Sequence, residues 1–333
     1  SDVCSSDLNK YKKRGIAIIP LKFGISFTFG TLNQGGSIVQ VYRDGTVLIS
    51  HGGVEMGQGL HTKVALIAAK TLNIPIENIR IDETNTSKVA NTSPTAASSG
   101  TDLNGWAVQN ACEQINQRLN KYRTPGRTFA EACQAAYMDR VDLCAHGFYS
   151  TPGVYFDWVK GNGNPFAYYV YGASASIVEI DTLTGDHVVL RSDIVYDVGS
   201  SINPAIDIGQ IEGAFIQGYG YLTMEEIVRG DNKNKWVPPG KLQTNGPSYY
   251  KLPGFNDLPL EFNVSLLPGS TNKTGIYLSK AIGEPPFLLA GSIGYAIEDA
   301  IKAARRENGH TDHIPFEYPL TSDRIRMYSS TKI

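Results

Sequence analysis

His51-Gly52-Gly53-Val54-Glu55-Met56-Gly57-Gln58-Gly59-Leu60-His61 is a glycine-rich turn set between a β-rich run and a helical stripe. Upstream, Ser37 to Tyr42 and Thr46 to Ser50 flank Arg43-Asp44-Gly45, the pattern of a hairpin. Downstream, Leu60, Val64, Ile67, Ala68 and Leu72 fall on one face, which predicts a helix from Leu60 to Leu72. Such a turn exposes backbone N–H groups near a helix N-terminus, which suits a phosphate or a pterin carbonyl. No Gly-Lys-Ser/Thr follows, so it is not a Walker loop, and it lacks the GxGxxG spacing of a dinucleotide fold. Taken alone, the cluster reads equally well as a structural turn. His51 and His61 are too far apart for a helical metal pair and read as structural.

Working outward, strands and helices alternate. Ile79 to Thr84 reads as a strand. Asp102 to Leu119 is the clearest helix, with Leu103, Ala107, Ala111, Ile115 and Leu119 recurring every four residues. Another helix is expected near Thr128 to Met138. Residues 147 to 171 have no period and read as a loop or subdomain crossing. A second hairpin pairs Ser174–Asp181 with Val188–Ser192. Asn203-Pro204 starts a helix with Ile211, Phe215 and Tyr219 inward. Pro238 to Pro259 is irregular, and the last helix is expected over Phe287 to Arg306. Together these predict an α+β fold of mixed sheets and helices rather than a simple doubly wound sheet.

The 333 residues are 41% hydrophobic and 19% charged, with a net charge of −2, enough for a sizeable core. Near-neutral charge gives no electrostatic reason to invoke nucleic acid or an anionic membrane. No apolar run approaches the roughly 20 residues of a membrane span, and the polar, Lys-rich start does not read as a secretory signal. Cys4, Cys112, Cys133 and Cys144 lie far apart without a CxxC pair, which favours free thiols in a reducing compartment. The cytoplasm is the expected location, with the peroxisome as the alternative. Ser1 to Leu8 reads as a non-native tail, leaving residues 9–333 as the domain.

Three further segments carry candidate chemistry. Asn91 to Asp102 (NTSPTAASSGTD) is small and hydroxyl-rich, and reads either as an N-cap by Thr101 or Asp102 or as a second cradle for an anion. In Gln210 to Gly220, Gln217 shares a helical face with Gly213 and Gly220, so its amide either meets a heterocycle or faces solvent. In Lys280-Ala281-Ile282-Gly283-Glu284-Pro285-Pro286-Phe287, the carboxylate suits the start of a helix. Its apolar neighbours would also disfavour the charged form, raise its pKa and make it a useful general base.

The stretches Lys22 to Thr28 (KFGISFT), HGGVEMGQGLH, NTSPTAAS, DIGQIEGAFIQG and KAIGEPP, in this order and spacing, resemble the xanthine dehydrogenase/oxidase and aldehyde oxidase family of molybdenum hydroxylases. The resemblance covers the chain after Asn9 and implies its C-terminal molybdopterin-binding part. It implies Glu284 as the catalytic base, which takes a proton from a Mo–OH group while hydride passes to a Mo sulfido ligand. Gln58 with Gly57, Gln217, Ala97 and Ser98 would hold the pyranopterin, with Ala97 beside the metal. The pterin dithiolene holds molybdenum, so no protein metal ligand is implied. Phe27 would be one of two aromatic plates around a flat purine, with Thr28 at its edge. Phe29-Gly30-Thr31 departs from the family pattern at the pocket mouth.

The resemblance further implies a larger, homodimeric enzyme of purine catabolism. Its 2Fe-2S clusters, FAD and second aromatic plate would lie outside this chain, so the chain alone would not turn over. NTSPTAAS and Phe27-Thr28 sit nearer the xanthine branch, which oxidises hypoxanthine and xanthine. An aldehyde oxidase-type hydroxylase and a non-catalytic remnant of the fold remain the other readings.

Overall fold

Two hydrophobic clusters, each built on a four-stranded sheet, organise the chain. The computed structural model describes residues 9–330, so the tail read at residues 1–8 lies outside the described residues. In chain order the elements are β1 (Lys12–Ile25), β2 (Gln34–Val41), β3 (Val47–His51), α1 (Leu60–Leu72), β4 (Ile79–Ile81), α2 (Gly100–Leu119), α3 (Phe129–Met138) and β5 (Cys144–Ser150). There follow β6 (Tyr155–Asp157), β7 (Asn162–Asn164), β8 (Tyr168–Asp181), β9 (His187–Tyr196), α4 (Pro204–Thr223), β10 (Glu261–Leu266), α5 (Pro285–Leu289), α6 (Gly291–Glu307) and α7 (Ser322–Tyr328).

One sheet has the order β4-β3-β2-β5 and packs against α1, α2 and α3; the other has the order β1-β8-β9-β10 and packs against α4, α5 and α6. Each sheet joins antiparallel strands to one parallel edge strand, β4 beside β3 and β10 beside β9. This is the mixed α+β architecture that the alternation of elements implies. Leu60, Val64, Ile67, Ala68 and Leu72 of α1 are all at most 2% exposed, so the stripe marks the core face. Burying each Leu, Ile or Val contributes roughly 1.5–3 kcal/mol.

Both halves use a strand glycine to bring a helix backbone close. A Cβ on Gly15 of β1 would stand 2.0 Å from the Ala296 carbonyl oxygen of α6, and one on Gly147 of β5 would stand 1.9 Å from that of Ala107 in α2. Any side chain there would push helix and sheet apart. The ion pair Lys63–Asp207 (2.6 Å) joins α1 of one half to α4 of the other.

Several boundaries differ from expectation. The aperiodic stretch at 147–171 holds the end of β5, the β6–β7 hairpin and the start of β8. Strands β1, β5, β6, β7 and β10 and helix α7 add to the elements expected. The helix expected over Phe287–Arg306 is two helices, because Ser174 Oγ (2.6 Å) and Ser292 Oγ (3.0 Å) both donate to the Leu289 carbonyl at the junction.

Candidate active site

The N-terminal turn of α2 is where the separated motifs meet. Ala97 and Ser98 both have left-handed backbone, with φ of 54° and 55°. Neither is glycine, so this conformation costs about 1–2 kcal/mol per residue. It places the Ser98 hydroxyl against Glu284: Ser98 Oγ donates to Glu284 Oε2 (2.9 Å) and accepts from the Glu284 backbone N–H (2.8 Å). Two candidates 186 residues apart in sequence are therefore in direct contact.

Glu284 itself is exposed, which corrects the expected apolar enclosure. Its neighbours Pro285 and Pro286 are buried, whereas Glu284 stays exposed among the described residues.

The glycine-rich turn corrects a second expectation. Its N–H groups are not open to an anion, because Glu55 takes them. Oε1 accepts from Gly57 and Gly59 (3.0 Å each), and Oε2 accepts from His61 (2.9 Å). This carboxylate stands in for the N-cap side chain that Gly59 lacks. Burial alone would raise its pKa, but the three backbone donors together hold it below the ordinary value.

Gln58 is folded onto the same loop, with Oε1 accepting from Met56 N–H (2.7 Å) and Nε2 donating to the Val54 carbonyl (2.8 Å). Each amide atom keeps one further hydrogen-bonding position to offer outward. The loop is tied to the α2 turn through Val54 N–H and Thr95 Oγ1 (2.9 Å).

His51 and His61 form a buried-to-surface pair, Nε2 to Nδ1 at 3.0 Å. Gly53 N–H donates to His51 Nδ1 (3.1 Å), so the proton of His51 sits on Nε2 and points at His61. Burial, then the neighbouring His61, push the pKa of His51 down to about 4, which keeps it neutral. This is the structural role expected of it. Among the described residues, no group of three or more His, Cys, Asp or Glu is arranged to hold a metal ion.

Phe27 is half-buried and Thr28 exposed. Asn33 clamps the turn, since its Oδ1 accepts from Phe27 N–H and its Nδ2 donates to the Phe27 carbonyl, both at 2.8 Å. A water-sized cavity of about 10 Å³ lies where Ser26 and Asn33 meet Ser99, Asp102 and Tyr168, which puts the turn beside the start of α2. Gln217 is exposed on α4 together with Gly209 and Gly213, whereas Gly220 is buried against Pro253. The shared face with Gly213 is therefore present and that with Gly220 is not, because α4 turns Gly220 into the core.

Residue composition did not single out Asn33, Glu55 or Tyr168. The cap expected from Thr101 or Asp102 is not formed, because α2 starts at Gly100 and its N-cap, Ser99, makes no side-chain cap bond. Asp102 instead accepts from Tyr168 Oη (2.6 Å) and from the Ile276 backbone N–H (3.2 Å). A polar residue in the first turn gives no sign of which distant segment it meets.

The fold and this meeting of motifs define a cofactor-binding domain. The chain belongs to the molybdopterin cofactor-binding domain family, whose model matches residues 5–259. It is 58% identical to the xanthine dehydrogenase of Oryza sativa subsp. japonica, over 96% of this chain and 23% of that protein. It is 56% identical to xanthine dehydrogenase 1 of Arabidopsis thaliana, over 96% of this chain and 24% of that protein. The chain thus spans about a quarter of the length of the curated relatives it matches. In fold it is similar to quinoline 2-oxidoreductase from Pseudomonas putida 86, with a TM-score of 0.78 at 21% identity over 100% of this chain and 44% of that one.

The residues fit a flat cofactor. Nothing lies within 4 Å of where a Cβ would stand on Gly57, Gly209 or Gly213, so the loop and one face of α4 present uncovered backbone. A planar ring system can lie directly on such backbone.

Proposed function

We propose that this chain is the cofactor-binding and substrate-facing part of a xanthine dehydrogenase-type hydroxylase that oxidises hypoxanthine and xanthine to urate, with Glu284 as general base. The contact between Ser98 and Glu284 carries the reading, because it brings a carboxylate to the strained turn of the second motif. Bound molybdopterin would hold molybdenum through its dithiolene and supply the two-electron chemistry that the protein lacks.

Gln58 and Gln217 would hydrogen-bond the pterin, the open space over the Gly57 Cα would leave room for it, and Ala97 with Ser98 would line the metal end. Ser98 sets the direction of the Glu284 carboxylate by bonding both its Oε2 and its backbone N–H. Phe27 offers an aromatic face for a purine and Thr28 a hydroxyl for its edge. The exposure of Glu284 is met by a remainder of the polypeptide that would cover it and carry the 2Fe-2S clusters and FAD. A cytoplasmic homodimer is the assembly proposed; Cys112, Cys133 and Cys144 are free thiols, consistent with a reducing compartment. No described helix is long and apolar enough to cross a membrane.

Replacing Glu284→Ala in the molybdenum-loaded full-length enzyme is expected to slow xanthine oxidation by about 10²–10⁴. An unchanged rate would remove Glu284 as the base. If the unaltered enzyme oxidises an aromatic aldehyde and not xanthine, the chain belongs to the aldehyde branch.

A further inference from the structure

Asp102 is a carboxylate with no part in the chemistry just described, yet both its oxygens are committed to the segment that ends in Glu284. Oδ1 accepts from the Ile276 backbone N–H (3.2 Å). Oδ2 accepts from Tyr168 Oη (2.6 Å), and that hydroxyl in turn accepts from the Ala281 backbone N–H (3.0 Å). Ser98, four residues before Asp102, grips the Glu284 N–H and carboxylate. One turn of chain therefore holds this segment at Ile276, at Ala281 and at Glu284.

The segment needs holding. Tyr277 and Leu278 have φ of 49° and 65°, a left-handed pair of bulky residues that disfavours the path between Ile276 and Ala281. Tyr277 is tied to α1 through Thr71 Oγ1 (2.7 Å), Lys280 N–H donates to the Val198 carbonyl (2.8 Å), and Tyr196 Oη donates to the Ala281 carbonyl (3.0 Å), which leaves the Ala281 N–H to Tyr168. Beyond Ala281 the chain runs through only Ile282 and Gly283 before Glu284.

We propose that Asp102 is a positioning residue for Glu284. Directly at Ile276 and through Tyr168 at the Ala281 N–H, it holds, together with Tyr196 and Val198, the path of the chain that presents the catalytic carboxylate. Its kinetic consequence rests on the reading of Glu284 as base; its structural consequence does not.

The groups that face Asp102 can be named from each element packed around it. Tyr168 comes from β8, Tyr149 from β5 and Lys63 from α1. Strand β2 carries no titratable residue, and the only one on β3, His51, is neutral. Burial pushes the Asp102 carboxyl up to about 6, against the pull of Tyr168 and the Ile276 N–H.

Backbone hydrogen exchange on the full chain tests this, with the α2 amides of Val108 and Ile115 as internal reference. Tyr168→Phe is expected to speed exchange at Ala281 by about tenfold, the equilibrium worth of one lost hydrogen bond, and to leave the reference amides unchanged. Asp102→Asn is expected to speed exchange at Ile276 as well.

In the loaded enzyme, Tyr168→Phe should lower kcat by roughly tenfold or more with KM held within about twofold. Exchange unchanged at Ala281, an equal rise across α2 or an unaltered kcat would each overturn the proposal. If Glu284→Ala is without effect, the base assignment falls, and the exchange results still decide whether Asp102 holds the segment.

Discussion

Glu55 and Asp102 are both carboxylates at the start of a helix, and the structure uses them in opposite ways. Glu55 folds back on its own loop, where three backbone N–H groups hold its pKa below the ordinary value despite burial. Asp102 turns away from its own helix to a distant segment, where one backbone N–H and one tyrosine hydroxyl fail to offset burial and its pKa rises to about 6. The number of donors against the loss of water decides which way a carboxylate shifts. One makes a local loop rigid; the other couples two remote parts of the chain.

The largest effect expected from this contrast is on stability. Glu55→Gln leaves the N–H groups of the loop without a charged acceptor and should lower the stability of the full chain by about 2 kcal/mol at pH 7. A thermal denaturation midpoint that does not move would mean that the loop holds its shape without the carboxylate.

A finer contrast lies in the pH dependence. Asp102 has a raised pKa, so its contribution is full below about 3.8 and is lost as pH rises through about 6. Glu55 has a lowered pKa, so its contribution is present above the ordinary value of 4.5 and is lost as pH falls through its folded value. Between pH 7 and pH 4, the melting difference between the unaltered chain and Asp102→Asn should therefore shift in the chain's favour on acidification. The difference from Glu55→Gln should shift against it. Slopes of the same sign would undo the comparison.

The smallest effect concerns the turn before Asp102. Ala97→Gly removes the penalty of a left-handed alanine and should raise stability by about 1 kcal/mol, read as a higher melting midpoint. A lower midpoint would mean that the turn gains more from the methyl group than its backbone loses.

The elements legible in sequence were those whose packing is local. The stripe of α1 and the four-residue recurrence in α2 mark buried faces directly, and Asn203-Pro204 announces α4 with both a cap and a preset φ. Strand β1 escaped notice because its exposure alternates only in part and its partner β8 is remote. The site was legible as motifs and illegible as contacts. KAIGEPP and NTSPTAAS stand out by residue type, and the bond between Ser98 and Glu284 does not. The exposure of Glu284 is illegible for a related reason: burial depends on what stands opposite a side chain, and here the prolines that follow it in sequence are buried while it is not.

Strand β1 also bears on how the chain is made. Its register joins Lys12 to Asp181 and Ile25 to Tyr168, so its partner is synthesised only after the whole first sheet. At about 5–20 residues per second, it waits roughly ten seconds or more on the ribosome before it can pair. An unpaired strand of this length is a template for unwanted association. The charges of Lys12, Lys13, Arg14 and Lys22 discourage this, as does Pro20, which removes a donor from a strand that ends as a sheet edge. The same residues that look ill-suited to a strand are what let it remain single until its partner arrives.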